Sequence, residues 1–526
     1  MTILDIQQLK LSLGSRDLLN IPSLQAADRQ KIGLIGRNGS GKSTFLSVLK
    51  RDIIPDEGQI SIQGRVELLP QLKPAQGRKS GGEITQDYIV RSLAENPQLL
   101  LADEPTTHLD TSHIQWVERE LKRFKGTLIL VSHDRRLLDE VCDTIWELED
   151  GEIREYPGNY SDYVEQKRKE EKFQEKEHQK YQAEKKQLEE AIRLKQQQAQ
   201  QAGKAPKNKS YSEINALGAK PYYGKLQKGL YQNRKAMESR LEKLKPVVKP
   251  KNKAPIQMDL PDVETHKSKI ILRAENLSGQ IKGRMLWKPA TFLIKGSDKV
   301  GIIGPNASGK TTLVHKIMEG RDENIYRSPA VKIGYFAQNL NLLDGDQTIL
   351  ENVKRESKQT ETLIRIVLAR LGFYENDVDK QVKVLSGGER VKVSLAKIFV
   401  SDCNTLILDE PTNFLDIYAL EALEELLVEY EGTLLIVSHD RSFISETATK
   451  ILAFEEGELI FFDGSYEEYM NRNRESERDV KEDELARIEN EIAAVLSRLS
   501  IDPTTEELDE SFQDLLKEKR RLEKNH

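Results

Sequence analysis

Two α/β units in tandem, joined by a long antiparallel α-helical hairpin and followed by a C-terminal helical extension, are predicted from three observations. One set of motifs occurs twice in the same order, the segment between the copies is helical in pattern, and the tail repeats that pattern on a smaller scale. A chain of 526 residues has room for two or three domains, each with its own core. The expected division is a first α/β domain over 1–158, a hairpin over 159–258, a second α/β domain over 259–470 and the extension over 471–526.

The duplication justifies the two α/β units. GRNGSGKST spans Gly36 to Thr44 and GPNASGKTT spans Gly304 to Thr312, while SGGE begins at Ser80 and again at Ser386. LLLADEPTTHLD ends at Asp110 and LILDEPTNFLD at Asp416; VSHDR begins at Val131 and at Val437. Only a short linker separates Gln71 from Ser80, whereas between Gln338 and Ser386 stands ILENVKRESKQTETLIRIVLARLGF, with apolar residues at helical spacing. The first half has therefore lost a helical subdomain.

The hairpin rests on composition. Residues 159–202 contain neither Gly nor Pro, and Tyr163, Phe173, Tyr181, Leu188 and Ile192 recur at helical spacing among Lys, Glu and Gln. A helix of about 35 residues would reach about 50 Å. GKAPKNKSYSEINALGAKPYYGK breaks the pattern, and a second stripe follows through Leu226, Leu230, Met237, Leu241 and Leu244, spaced as in a narrow coiled-coil seam. The net charge of −6 conceals an asymmetry, because residues 191–255 hold three acids, Glu213, Glu238 and Glu242, among many Lys and Arg. Such a segment suits one localised anionic contact rather than indiscriminate coating of nucleic acid. In the tail, VKEDELARIENEIAAVLSRLS and EELDESFQDLLKEKRRLEK flank a turn at IDPTT and predict a second, solvated helical hairpin.

Some function classes are disfavoured at once. The apolar runs fall short of the roughly 18 to 20 residues that cross a bilayer, and MTILDIQQLKLSL alternates like a strand rather than a secretion signal, so a cytoplasmic location is expected. Cys142 and Cys403 stand far apart with no Cys/His cluster, which indicates neither a disulfide framework nor a zinc site.

The motifs carry phosphate chemistry. GxxxxGK[ST] after an apolar strand, here KIGLIG and KVGIIG, wraps backbone N–H groups round phosphate oxygens at a helix N-terminus. Lys42 and Lys310 would reach the β and γ phosphates, and Ser43 and Thr311 would bind magnesium. The runs before Asp103 and Asp409 read as buried parallel strands that deliver a magnesium-binding carboxylate to the sheet edge. Glu104 and Glu410 follow, placed to polarise an attacking water, and His133 and His439 would hold that water or sense the γ-phosphate.

In this order the motifs resemble the Walker A, Q-loop, signature, Walker B, D-loop and H-loop of ATP-binding-cassette proteins. The resemblance implies ATP and Mg2+ at two sites. One would use Gly36, Asn38, Gly39, Gly41, Lys42, Ser43, Thr44 and Gln71, closed by Ser386, Gly387 and Gly388; the other would use Gly304, Asn306, Ser308, Gly309, Lys310, Thr311, Thr312 and Gln338, closed by Ser80, Gly81 and Gly82. Gln71 and Gln338 would also face the metal. Tandem cassettes joined by a charged hairpin resemble the ABC-F group, and KSGGE, GNYSDYVEQK, GAKPY, VLSGGERVKV and AVLSRLSIDP are similar to its Vga-type antibiotic-resistance members.

That resemblance implies a ribosome-protection ATPase acting on the bacterial 70S ribosome. Its partners would be 23S rRNA and P-site tRNA near the exit site, and it would relieve lincosamides, streptogramin A compounds and pleuromutilins. Neither membrane nor DNA is an expected partner, and a monomer whose halves close on each other is. Lysines of the hairpin would contact phosphates, with Tyr211, Tyr222, Tyr223 and Tyr231 free to stack, and 209–223 would set specificity. The chain departs from the cassette pattern in having no aromatic ring for adenine in LKLSLGSRDLLN or LSGQIKGRML, and in Lys79 where leucine is usual. A housekeeping translation factor, a transporter ATPase subunit and a DNA-repair ATPase are the alternatives. The transporter reading predicts a helical subdomain in both halves, and the DNA reading predicts longer coils and zinc-binding cysteines.

Overall fold

The computed structural model describes residues 2–71, 81–202, 219–244 and 269–472, apart from positions 15, 108, 282, 338–341 and 414, together with Met258, Ile492 and Leu516. Ser80, Gln338, the hairpin tip over 203–218 and almost all of the C-terminal extension lie outside the described residues. The chain forms two compact units, Met1–Glu155 with Ile256–His526, and Tyr156–Pro255.

In the first unit each half begins with a β-hairpin, β1 (Thr2–Leu13) and β2 (Arg16–Ala27), whose alternating apolar residues bury one face. The chain continues through β3 (Lys31–Gly36), α1 (Lys42–Leu49), β4 (Glu57–Ile62), β5 (Val66–Leu69), α2 (Gly81–Ala94), β6 (Leu99–Asp103), α3 (Thr111–Arg123), β7 (Thr127–Val131), α4 (Arg135–Val141), β8 (Thr144–Glu149) and β9 (Glu152–Pro157). β2-β1-β4 form an antiparallel sheet, and β5-β6-β7-β3-β8-β9 form a six-stranded sheet. β3, β6 and β7 are unbroken apolar runs because helices and the small sheet cover both faces. Their C-terminal ends are where Gly36, Asp103 and Val131 leave the sheet, so three of the duplicated motifs meet at one edge.

The second unit is a helical hairpin of α5 (Tyr160–Ala202) and α6 (Ala219–Lys243), tied by Arg240 to Glu184 at 2.9 Å. At 43 residues α5 is longer than the 35 expected, since nothing in its sequence stops a helix before Gly203. α6 starts within the segment read as a break, because Pro221 falls in its first turn, where no N–H is needed. Tyr156 and Tyr163 meet edge to face at 5.0 Å at the base of the hairpin.

The second half repeats the first: β10 (Ile270–Ile281), β11 (Arg284–Lys295), β12 (Lys299–Ile303), α7 (Lys310–Glu319), β13 (Ile325–Arg327) and β14 (Ile333–Phe336) come first. α8 (Ile349–Lys354) and α9 (Glu361–Arg370), which have no counterpart in the first half, then form the helical subdomain together with α10 (Gly387–Phe399), the counterpart of α2. β15 (Thr405–Asp409), α11 (Ile417–Glu429), β16 (Thr433–Val437), α12 (Arg441–Thr447), β17 (Lys450–Glu455) and β18 (Glu458–Phe462) complete it, in sheets ordered β11-β10-β13 and β14-β15-β16-β12-β17-β18. Ile349, Val353, Ile364, Val367 and Leu368 are fully buried in one cluster with Leu426 and Ile436, so the subdomain shares the core of its half. No described helix is long and apolar enough to cross a membrane.

Candidate functional site

Each GxxxxGK[ST] loop joins a buried strand to a helix. Gly41 and Gly309 stand at the helix N-caps with φ of 106° and 110°, a left-handed conformation that glycine adopts without strain. A Cβ there would also meet Leu18 in one half and Trp287 in the other. Lys42 and Lys310 are buried and donate to loop carbonyls, Lys42 Nζ to Gly36 O at 2.7 Å and Lys310 Nζ to Gly304 O at 2.9 Å. Burial lowers both ammonium groups from the ordinary lysine value, and the carboxylates around them oppose that shift.

Behind each lysine stands a hydroxyl–carboxylate pair. Ser43 hydrogen-bonds Asp103 and Thr311 hydrogen-bonds Asp409; burial raises both aspartates, and these bonds pull them back. Asp409 also takes a hydrogen bond from Tyr335. Among the described residues no cluster of three or more His, Cys, Asp or Glu could hold a metal. One hydroxyl and one carboxylate fit magnesium, a hard cation that completes its shell with substrate phosphates and water. Ser40 Oγ and Ser308 Oγ are buried without a hydrogen-bond partner among the described residues, at matching positions of the two loops. Buried hydroxyls in that state suit a ligand rich in acceptors.

Glu104 and Glu410 carry φ of 50° and 51°, a left-handed backbone that costs a non-glycine residue about 1 kcal/mol or more. Each is pinned there by donating its backbone N–H to the neighbouring strand, Glu104 to Val131 O and Glu410 to Val437 O, both at 2.9 Å. The same strain in both copies marks it as part of the site. Burial raises both carboxyls, against the pull of the nearby lysine. His133 Nε2 lies 3.2 Å from Glu104 and His439 Nε2 lies 3.5 Å from Glu410. Burial, reinforced by the lysines, lowers both imidazoles to about 4, so they stand neutral at pH 7.

A cleft of about 540 Å³ collects Asn306, Gly309, Lys310, Thr311, Thr312, Asp409, Glu410 and His439, with Glu104 and His133 reaching it from the other half. Ser386 does not line this cleft. It caps α10, its hydroxyl accepting from Glu389 N and the Glu389 carboxylate accepting from Ser386 N, which leaves Gly387 and Gly388 in the first helical turn. Gly81 and Gly82 are the first residues of α2, and Gln71 is exposed just beyond β5.

Two residues missed in the sequence bridge the halves. Asp416 Oδ2 accepts from Asn38 N at 2.9 Å, and Asp110 Oδ2 accepts from Asn306 N at 3.3 Å, so each phosphate loop is braced by the other half. Burial pushes Asp110 up, but hydrogen bonds from His113 and Ser112 hold it well below the usual carboxylate range. Both aspartates close the long acidic motif, and their duplication was the available signal. Behind them Arg135 forms a two-pronged ion pair with Glu424, one arm at 2.8 Å; the counterpart pair, Arg441 with Glu118, is longer at 4.0 Å. Tyr418 also donates to Glu147 at 2.6 Å. Burial outweighs the Arg135 pairing and pushes Glu424 up to about 7.

Two family models, both described as ABC transporter, match residues 19–76 with 287–413 and residues 146–217. The chain is 34% identical over 525 residues to the ribosome protection protein VmlR of Bacillus subtilis, covering 94% of this chain and 93% of that one. It is 34% identical over 458 residues to the erythromycin resistance ATP-binding protein MsrA of Staphylococcus epidermidis, covering 82% and 93%. A solved structure titled RNase-L Inhibitor superposes with a TM-score of 0.59 at 18% identity, over 89% of this chain and 93% of that one, which shows a shared fold.

Proposed function

The chain belongs to the ABC-F family of ATP-binding-cassette proteins, as an antibiotic-resistance member, and from that premise we propose that it is an ATP-dependent ribosome-protection protein. Its cassette domains carry ATPase chemistry in the general sense. In the ATP-bound, closed form it would bind the bacterial 70S ribosome at the exit site. The interdomain hairpin would then reach past P-site tRNA toward the 23S rRNA of the peptidyl-transferase centre and relieve lincosamide, streptogramin A and pleuromutilin inhibition. Hydrolysis would release it.

The observation that carries this reading is the bracing of each phosphate loop by the opposite half, Asp416 on Asn38 and Asp110 on Asn306. A nucleotide in either loop sits where the two halves touch, so its presence biases how they are held. Lys42 and Lys310 would bind the β and γ phosphates. Ser43 with Asp103 and Thr311 with Asp409 would hold Mg2+, which neutralises phosphate charge when bound; Gln71 and Gln338 would face it. Glu104 and Glu410, raised by burial, suit a group that takes a proton from water, and the neutral His133 and His439 can accept a hydrogen bond from that water or donate one to a phosphate. The excess of Lys and Arg over acids along 191–255 supports a contact with RNA phosphates.

The same reading divides the chain at 1–158, 159–258, 259–470 and 471–526 and makes it a cytoplasmic monomer. Bacterial translation in vitro under lincomycin tests it. Adding the protein with ATP is expected to restore synthesis, and a variant with the tip over 203–218 shortened is not. Stimulation of drug-free translation without any relief under drug would support a housekeeping factor instead and overturn the protection reading.

A further inference from the structure

Glu147 is 2% exposed between Trp146 and Leu148 on the buried strand β8, and a carboxylate so placed needs a partner. The partner comes from the other half: Tyr418, in the first turn of α11, donates its hydroxyl to Glu147 Oε1 at 2.6 Å. In the parallel pairing of β3 with β8, Glu147 stands beside Ile35, one residue before the glycine that opens the first phosphate loop. Asp416, which caps α11 through one oxygen, braces Asn38 of the same loop through the other. The start of α11 is thus fastened both to the loop and to the strand beside its root.

The opposite interface lacks this fastening. Aligned on the DEPT and VSHDR motifs, Tyr418 corresponds to Ser112 and Glu147 to Ala453, so both members of the pair are missing together. Ser112 turns back on its own half and donates to Asp110 Oδ1 at 2.7 Å. The remaining contacts differ in the same sense. α11 is held by Asp416 on Asn38 at 2.9 Å and by the two-pronged pair of Glu424 with Arg135, whereas α3 is held by Asp110 on Asn306 at 3.3 Å and by Glu118 with Arg441 at 4.0 Å. The bond peculiar to the second interface, Arg441 to Thr111 O at 3.2 Å, has a neutral acceptor and is the weaker kind.

We propose that Tyr418 and Glu147 are a positioning pair that fixes α11 against the first phosphate loop, so that the nucleotide at Lys42 is the last to leave and its site sets when the halves part. The proposal rests on the nucleotide-site assignment above. A nucleotide in a loop braced by the other half leaves only after the brace opens, so its release slows as the contacts between the halves strengthen. The pair acts through the loop rather than on the phosphates.

Release of a ribose-labelled fluorescent ATP from the full chain carrying Glu104→Gln and Glu410→Gln, chased with excess ATP, tests this. Two phases are expected, differing in rate by about tenfold or more. Adding Tyr418→Phe, which keeps the ring and removes the hydroxyl, should quicken the slow phase about tenfold and leave the fast phase within about twofold. Glu147→Gln, which keeps an acceptor oxygen without the charge, should quicken it less, and joining it to Tyr418→Phe should give no faster release than Tyr418→Phe alone. The site is read from the Glu104→Gln single variant, in which only the nucleotide at Lys310 is hydrolysed: the slowly released nucleotide should be ATP. Recovery of ADP there would put the last-leaving nucleotide at Lys310 and overturn the proposal. An unchanged slow phase in the Tyr418→Phe protein would overturn it too, as would equal quickening of both phases, the mark of a merely structural role. Failure of the Glu→Gln protein to bind the nucleotide at all would remove the nucleotide-site assignment, and the proposal with it.

Discussion

The two halves carry nearly the same chemical parts on unequal scaffolds. Around Lys42 and Lys310 the glutamates share the same strained backbone, with φ of 50° and 51°, the histidines beside them stand at 3.2 and 3.5 Å, and each half has its hydroxyl–aspartate pair. Away from the phosphates the halves diverge. The second half fills its helical subdomain with fully buried Ile364 and Val367, whereas α2 leaves Tyr88 and Val90 exposed. Asp409 has Tyr335 as an extra partner, Ala307 takes the left-handed place that Gly39 fills in the first loop, and the tighter interface ion pair is Arg135 with Glu424. Duplication has kept the geometry at the reacting phosphates and relaxed what supports it.

The largest expected effect tests the shared part. Glu104→Gln with Glu410→Gln should lower ATP hydrolysis by about 10² to 10³ while nucleotide binding persists, as measured by phosphate release and equilibrium binding. Among single variants Glu104→Gln should cost more, because in the proposed arrangement the nucleotide at Lys42 would be the one closed by Ser386 on the intact subdomain. Equal losses would break the asymmetry.

The next effects test the scaffolds. Ile364→Ala should destabilise the protein by about 3 kcal/mol in denaturant unfolding, whereas Val90→Ala on the exposed face of α2 should cost less than about 0.5 kcal/mol. At the interface Arg135→Ala should cost about 3 kcal/mol by stranding buried Glu424, and Arg441→Ala about 1 kcal/mol, since its ion pair is longer and its hydrogen bond to Thr111 O is neutral at the acceptor. Equal costs would mean that the two ion pairs are equivalent in solution. The smallest effect concerns the loops: Ala307→Gly should raise the melting temperature, by about 0.5 to 1 kcal/mol in stability, and Gly39→Ala should lower it.

Much of this was legible in the sequence because it is local. A phosphate loop after KIGLIG or KVGIIG must sit at a strand end and a helix start, and a carboxylate after LLLA or LIL must leave a buried strand at the sheet edge. The lost subdomain showed as a short interval between Gln71 and Ser80. Less legible were features that arise only when distant segments meet. Asp416 on Asn38 and Arg135 on Glu424 join residues hundreds apart in the chain; duplication of their motifs marks the residues, but no periodicity or spacing announces the partners. The positive φ of Glu104 and Glu410 likewise follows from pairing with the neighbouring strand rather than from residue type. The length of α5 was underestimated because sparse apolar positions understate a helix that nothing interrupts.

The most direct test of the central claim is co-sedimentation of the Glu104→Gln, Glu410→Gln variant with bacterial 70S ribosomes in ATP, in ADP and without nucleotide. Pelleting in ATP alone, weakened when the tip over 203–218 is shortened, is the result the account predicts. Absence of pelleting in all three conditions, or pelleting indifferent to nucleotide, would contradict it.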